Sequence, residues 1–286
     1  MQDYIIFTDS TADLPQDIVK KLDVKIIPME LTFDGEKYFK DVDMDFKAFY
    51  KDLKNGKLPK TTCTNSATFF EHFEPYLNKN KDILYICFSS ANSRTYECAI
   101  IAANELNEKY TNKVTVIDSL SASLGQGLLA YHAAKKRRNG LTLEEVRDWL
   151  DENKTKVCHL FTVDDLFHLK RGGRISAASA SFGTVLNVKP ILNINDEGFL
   201  TPKGKVRGRK TSLQALINEM EKGWVKSENE VIFISHADAL DDANFIADQI
   251  REKFGVENIV ISYIGPTIGS HTGVGTIALF FFGSKR

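Results

Sequence analysis

The sequence predicts an α/β protein of two domains: a parallel-sheet α/β domain over residues 1–153 and a mixed α/β domain over residues 154–286. Two observations carry this expectation. In the first half, short apolar runs alternate with stretches of helical length, the pattern of a parallel sheet covered on both faces. In the second half a hairpin signature interrupts that alternation, so antiparallel strands enter the sheet.

Tyr4–Thr8 is an apolar run of buried-strand length, broken by Asp9-Ser10-Thr11-Ala12-Asp13. Asp13 reads as a helix N-cap with Gln16 as its reciprocal partner and Pro15 in the first turn. Val24–Ile27, Ile83–Phe88 and Val114–Asp118 are further buried strands. Between them Asp45–Lys54, Ala67–Leu77, Arg94–Tyr110 and Ser121–Arg138 have helical patterns. Thr142-Leu143-Glu144-Glu145 is a capping box that opens a helix reaching about Asn153, and the first domain ends there.

After it come a strand at Val157–Val163, a short helix at Asp164–Leu169, and a stop at Gly172-Gly173 with a left-handed residue. Lys189–Ile194 and Phe199–Val206 flank Asn195-Asp196-Glu197-Gly198 as a hairpin. Val231–Ser235, Ile259–Ile264 and Ile277–Phe282 complete the strands, separated by helices near Ser212–Trp224 and Ala239–Phe254.

Composition narrows the function. With 37 Lys and Arg against 38 Asp and Glu, the net charge of −1 lacks the broad basic face on which nucleic-acid affinity rests. The N-terminus has no signal-peptide pattern and no apolar run reaches spanning length, so a cytoplasmic location is expected. Of the four cysteines, Cys63, Cys87, Cys98 and Cys158, none forms a C-x-x-C pair or a zinc spacing, and no metal site is expected. Cys87 and Cys158 fall in strand runs, where a reduced cysteine packs as a small hydrophobe.

No phosphate loop, dinucleotide fingerprint, nucleophile elbow or H-E-x-x-H motif is present. Instead, three strands discharge into hydroxyl-rich turns: Asp9–Asp13, Ser89–Tyr96 and Asp118–Ser123. Such residues cap helices, and for Asp13 and Asp118 capping or turn structure is the simpler reading. The same residues can converge on an anion at the carboxyl edge of a parallel sheet. Thr61–Ser66 is a further hydroxyl-rich segment. Gly265–Gly275 is dense in glycine, as where backbone turns sharply or approaches something closely, and it carries His271. His72, His132, His159, His168 and His236 sit in helix or strand contexts without a local signature. Two glycine-punctuated basic loops, Lys170–Arg174 and Lys203–Lys210, read either as solvated surface or as a docking patch.

Taken in order, these segments resemble the motifs of the DegV family. The resemblance rests on Asp9–Leu14, Thr61–Ser66, Ser89–Tyr96, Val116–Ser119, Val163-Asp164-Asp165-Leu166 and Leu169–Ile175. It extends through Leu186–Leu192 with Lys189-Pro190, Lys205-Val206-Arg207, and Ile264-Gly265-Pro266 leading to His271-Thr272-Gly273, so that residues 3–285 form one DegV unit. The resemblance implies two α/β domains enclosing a long-chain fatty acid, with no cofactor and no catalytic residue of the chain's own. It implies a role as the acyl-carrying subunit of a bacterial fatty acid kinase, presenting the bound carboxyl to a separate ATP-dependent subunit, with at most transient membrane contact. The family's carboxylate contacts fall on Thr61, Ser93 and His271, with Thr62, Arg94 and Thr95 as secondary positions; kinase docking falls on or near Arg171, Arg174, Arg207 and Arg209. The chain departs from the family at Thr62-Cys63-Thr64, where Ser-Gln-Pro is usual, at Asn92, where Leu is common, and at Arg94, where a Gly normally follows the hydroxyl residue.

The residues alone leave alternatives open. One is a hydrolase or transferase using a Ser, His271, and Asp9 or Asp118 as nucleophile, base and orienter. Another is a carrier of a different amphiphilic lipid.

Overall fold

The computed structural model describes residues 4–164, 166–175, 187–226, 229–284 and 286. Asp165 and Leu186, which belong to the motifs above, lie outside the described residues. The first half runs β1 (Tyr4–Asp9), α1 (Gln16–Leu22), β2 (Lys25–Ile27), β3 (Glu30–Thr32), β4 (Tyr38–Lys40), α2 (Phe46–Lys54), β5 (Lys60–Thr62) and α3 (Ser66–Leu77). It continues through β6 (Asp82–Cys87), α4 (Thr95–Lys109), β7 (Val114–Asp118), α5 (Leu124–Arg138) and α6 (Leu143–Asn153). The second half runs β8 (Val157–Thr162), α7 (Phe167–Arg171), β9 (Val188–Ile194), β10 (Leu200–Arg207), α8 (Arg209–Gly223) and β11 (Ile232–His236). It closes with α9 (Leu240–Phe254), β12 (Ile259–Tyr263), α10 (Pro266–Thr272) and β13 (Ile277–Phe282).

The first sheet is parallel, in the order β2-β1-β6-β7. Every residue of β1 and β6 is buried, which is why both strands read as unbroken apolar runs. The large sheet is mixed, in the order β10-β9-β8-β13-β11-β12, with only β11 and β12 parallel among its pairs. Its β9–β10 hairpin turns through Asn195–Gly198 as the sequence predicts, with a register shift between Pro202 and Gly204.

Helix α5 lies between the two sheets and packs on β1 and β6 from one side and on β8, β11 and β13 from the other. One continuous core results, joining Ile6 and Leu84 through Leu128 and Leu129 to Phe233 and Phe280. Each buried leucine there contributes about 2 kcal/mol from apolar surface removed from water. Close approach needs small residues: a methyl group at Gly125 would overlap the His159 imidazole of β8.

Several expectations are corrected. Asp13 is no N-cap for α1. That helix starts after Pro15 without a side-chain cap, while Asp13 adopts a left-handed conformation (φ 52°) at the end of a short turn capped by Asp9. The Asp13 carboxylate instead reaches across the molecule to the Gly265 N–H, 2.8 Å away, so a tertiary contact displaces the local one. The small antiparallel sheet β4-β3-β5 is not anticipated, because three-residue strands are too short to display alternation. The glycine-rich segment is not merely a turn: Pro266–Thr272 is a helix with Pro at its start, and Gly269 allows it to seat against Tyr50 of α2. The capping box of α6 is formed as predicted, by Thr142 and Glu145.

Candidate ligand-binding site

Between the parallel sheet and the large sheet lies a cavity of about 250 Å³. Its apolar wall includes Phe88 and Ala122 from the first half and Phe161, Leu200 and Phe280 from the second. Its polar residues include Thr61, Thr62, Ser93, Arg94, Arg174 and His271.

Thr61 is the middle residue of β5, paired with Leu31 of β3, and its Oγ1 lies 2.8 Å from Nε2 of His271 near the end of α10. Burial, then the nearby Arg174 and Arg171 guanidinium groups, push the His271 pKa down to about 3, so the ring is neutral near pH 7. A neutral imidazole donates from one nitrogen and accepts at the other. With Nε2 on Thr61, Nδ1 is buried and has no hydrogen-bond partner. It faces Gly172, where a methyl group would overlap it.

Ser93 lies in the turn after β6. Its Oγ accepts the Thr95 N–H at 3.2 Å and sits 2.9 Å from the Thr95 hydroxyl. Thr95 is fully buried at the start of α4, one step behind Ser93 rather than on the cavity wall. Thr62 Oγ1 donates to the Glu30 carbonyl at 3.3 Å. The Arg94 side chain is 83% exposed and pairs with Glu97 at 3.1 Å, so its charge lies in solvent at the rim.

The four arginines of the basic loops separate. Arg174 lines the cavity and its Nε donates to the Asn92 carbonyl at 3.1 Å. Arg171 donates to the carbonyls of Pro59 and Ser270, each at 3.2 Å, tying together the segments that lead into Thr61 and His271. Arg207 is exposed on β10, and Arg209 at the start of α8 pairs with Asp242 at 2.7 Å.

Thr61, Thr62, Ser93, Arg94 and His271 are thus brought to one cavity. Among the lining residues that carry no such expectation in the sequence are Arg174, placed there among docking residues, and His159. The His159 Nδ1 donates to the Val157 carbonyl at 2.9 Å, leaving Nε2 to accept the Ala122 N–H at 3.4 Å. His159 pairs with Phe280 and Phe161 with Ala278 across β8 and β13, so all four share the face toward the cavity. That two-residue spacing is visible in the sequence, but not which face it serves.

A hydrolytic triad is not assembled. Asp9 is fully buried and accepts from Tyr85, Phe88 and Gln126 at 2.8, 3.0 and 3.1 Å. Asp118 accepts the backbone N–H groups of Ser90 and Leu120. Neither orients His271, whose second nitrogen is unpaired. Among the described residues no group of three or more His, Cys, Asp or Glu side chains could hold a metal ion, and no helix is long and apolar enough to cross a membrane.

The molecule is therefore an α/β protein whose two larger sheets flank a largely apolar cavity, with hydroxyl, imidazole and guanidinium groups among its polar lining. Its residues 4–284 match the family model described as "Uncharacterised protein, DegV family". The chain belongs to the DegV family. A DegV domain-containing protein of Clostridium perfringens is 46% identical over 100% of this chain and 99% of its own. A structure described as a DegV lipid binding protein from Thermotoga maritima superposes with a TM-score of 0.87 at 29% identity, covering 99% of each chain. One described as DegV, a fatty acid binding protein from Bacillus subtilis, superposes with a TM-score of 0.85 at 29% identity, covering 99% of this chain and 100% of its own.

Proposed function

We propose that the protein binds one long-chain fatty acid, with the acyl chain in the cavity between units 1–153 and 154–286 and the carboxylate held by Thr61, Ser93 and His271. The observation that carries this reading is the 2.8 Å contact between Thr61 and His271 at a cavity that Ser93 also lines. If the imidazole Nε2–H donates to Thr61, the threonine hydroxyl has its own proton free for a carboxylate oxygen. Ser93, accepting from Thr95, is free to donate in the same way. Two hydroxyl donors satisfy an anion that burial would otherwise penalise. The lipid-binding and fatty-acid-binding descriptions of the two solved relatives support the same ligand class. Burial of a chain methylene contributes about 0.8 kcal/mol, so about 14 of them supply on the order of 11 kcal/mol before association costs.

The protein then acts as a carrier, presenting the carboxyl to a separate ATP-dependent kinase subunit that converts it to an acyl phosphate in the cytoplasm. Neutral donors suit this step, because they do not lock the carboxylate oxygens in a salt bridge. The exposed Arg171 and Arg207, with Arg174 and Arg209 beside them in sequence, are the positions for docking that subunit.

The test is native mass spectrometry and lipid extraction of the purified chain, followed by titration with a long-chain fatty acid. One fatty acid per chain is expected, with Ser93→Ala weakening binding about tenfold through the loss of one hydrogen bond to a charged group. Absence of any bound fatty acid, or unchanged affinity in both Ser93→Ala and Thr61→Val, would sink the proposal.

A further inference from the structure

Along the large sheet, the residues that line the cavity recur at every second position. They are Thr276, Ala278 and Phe280 on and just before β13, with Phe161 and His159 on β8 paired to Ala278 and Phe280. Thr276 marks the polar end, since its hydroxyl is tied to the carbonyls of Thr272 and Gly273, beside His271. At about 3.4 Å per residue, Phe280 lies about 14 Å further along the strand. The next row on the same face, Val157 with Phe282, does not line the cavity. Phe282 is buried there against His132 and Trp149, with ring centroids 5.2 and 6.0 Å away. The sheet wall of the cavity therefore ends at the row of His159 and Phe280.

His159 is fixed in that row from several sides. The Val157 carbonyl that accepts its Nδ1–H also accepts the Arg286 Nε–H at 2.9 Å. Its Nε2 takes the Ala122 N–H, and its ring stands edge-on to Phe280 at 5.4 Å between centroids. Helix α5 presses so close that a methyl group at Gly125 would overlap the imidazole. Burial, then the Arg286 charge, hold its pKa well below the ordinary histidine range, so the ring is uncharged. With both nitrogens spent on backbone groups, the ring offers the cavity a rigid wall rather than a partner for a polar tail. We propose that the row of His159 and Phe280 is the stop against which the terminal methyl of the bound acyl chain rests, with His159 as its immovable member. This row sets the chain length that the protein prefers. The stop rests on the proposed function, whose ligand class it narrows to chains that end at this row.

The experiment strips the full-length chain of lipid and measures its affinity for a homologous series of straight-chain saturated fatty acids by competition with a radiolabelled member. The parent should show an optimum, with affinity falling for longer chains. In His159→Ala the optimum should move to longer chains. The first chain too long for the parent should bind this variant about tenfold more tightly than it binds the parent. Ala278→Leu, which adds bulk one row nearer the polar end, should move the optimum to shorter chains and weaken the parent's best ligand about tenfold. Phe280→Leu, a milder opening of the same row as His159, decides the matter if His159→Ala does not fold. An unmoved optimum in the folded variant, or affinity lost equally at every chain length, overturns the stop and leaves the proposed function standing. A parent that takes up no member of the series overturns the proposed function, and the stop falls with it.

Discussion

Helix α10 is gripped at its two ends by polar groups of the same kinds, and the two ends differ in how completely those groups are satisfied. At its N-terminal end Asp13 accepts from Gly265 and Ser123, whose hydroxyl also meets Ser235 at 3.0 Å. Asp41 accepts from Thr267 at 2.6 Å, Ser10 at 2.8 Å and the Met29 N–H at 3.2 Å. Each carboxylate is buried and surrounded by donors. At the other end His271 has one nitrogen on Thr61 and one unpaired. Ser93 and Thr61 keep hydroxyl capacity toward a cavity. Residue type does not separate scaffold from site here; unspent hydrogen-bonding capacity facing open space does.

The comparison can be broken most forcefully at Asp13. Asp13→Ala should destabilise the protein by about 3 kcal/mol in urea unfolding, because the buried Gly265 N–H loses its acceptor and a void opens. A loss below about 1 kcal/mol would mean that the seam is not what anchors α10.

At the opposite end, Gly172→Ala should spare stability but displace the His271 ring. Gly172 has an ordinary helical φ of −74°, so alanine is tolerated by the backbone. We expect fatty-acid affinity to fall about tenfold, equivalent to about 1.4 kcal/mol, while unfolding changes by less than about 1 kcal/mol. Equal losses in both measurements would erase the distinction between the two ends.

The smallest effect is in pH dependence, where the ends carry opposite signs. Burial, partly offset by hydrogen bonds from Thr267 and Ser10, pushes the Asp41 pKa up from 3.8 to about 6. The folded state therefore holds this proton more tightly than the unfolded chain, and its contribution to stability is lost as pH rises through about 6. His271, with its pKa lowered, binds a proton more weakly when folded, and its contribution is lost as pH falls below the ordinary histidine range. Between pH 7 and 5, Asp41→Asn should remove about 1 kcal/mol of acid-side stabilisation, making the variant lose more stability on acidification than the parent. Parallel stability–pH curves would contradict this assignment.

Much of the scaffold was legible from local pattern. β7 and β13 fall on the runs that predict them, and the α6 capping box is a four-residue signal that needs no tertiary partner. Asp118 serves turn structure, as its neighbours suggest. Asp13 was misread because its best partner is not on its own helix but on Gly265, far along the chain. The short strand carrying Thr61 left no periodic trace, and Arg174 looked like surface charge because a basic loop gives no sign of which arginine turns inward.

By itself the sequence determined the alternating elements, the hairpin and the ordered motifs that mark the DegV family, since each is written in residues adjacent or a few positions apart. The tertiary structure alone decided that Thr61 meets His271 and that His159 and Arg174 line the same cavity. The reason is physical: helix and strand preferences act over a few residues, whereas these encounters are set by how α5 packs between the two larger sheets and α10 against α2, α7, β3 and β5, which depends on the whole core at once.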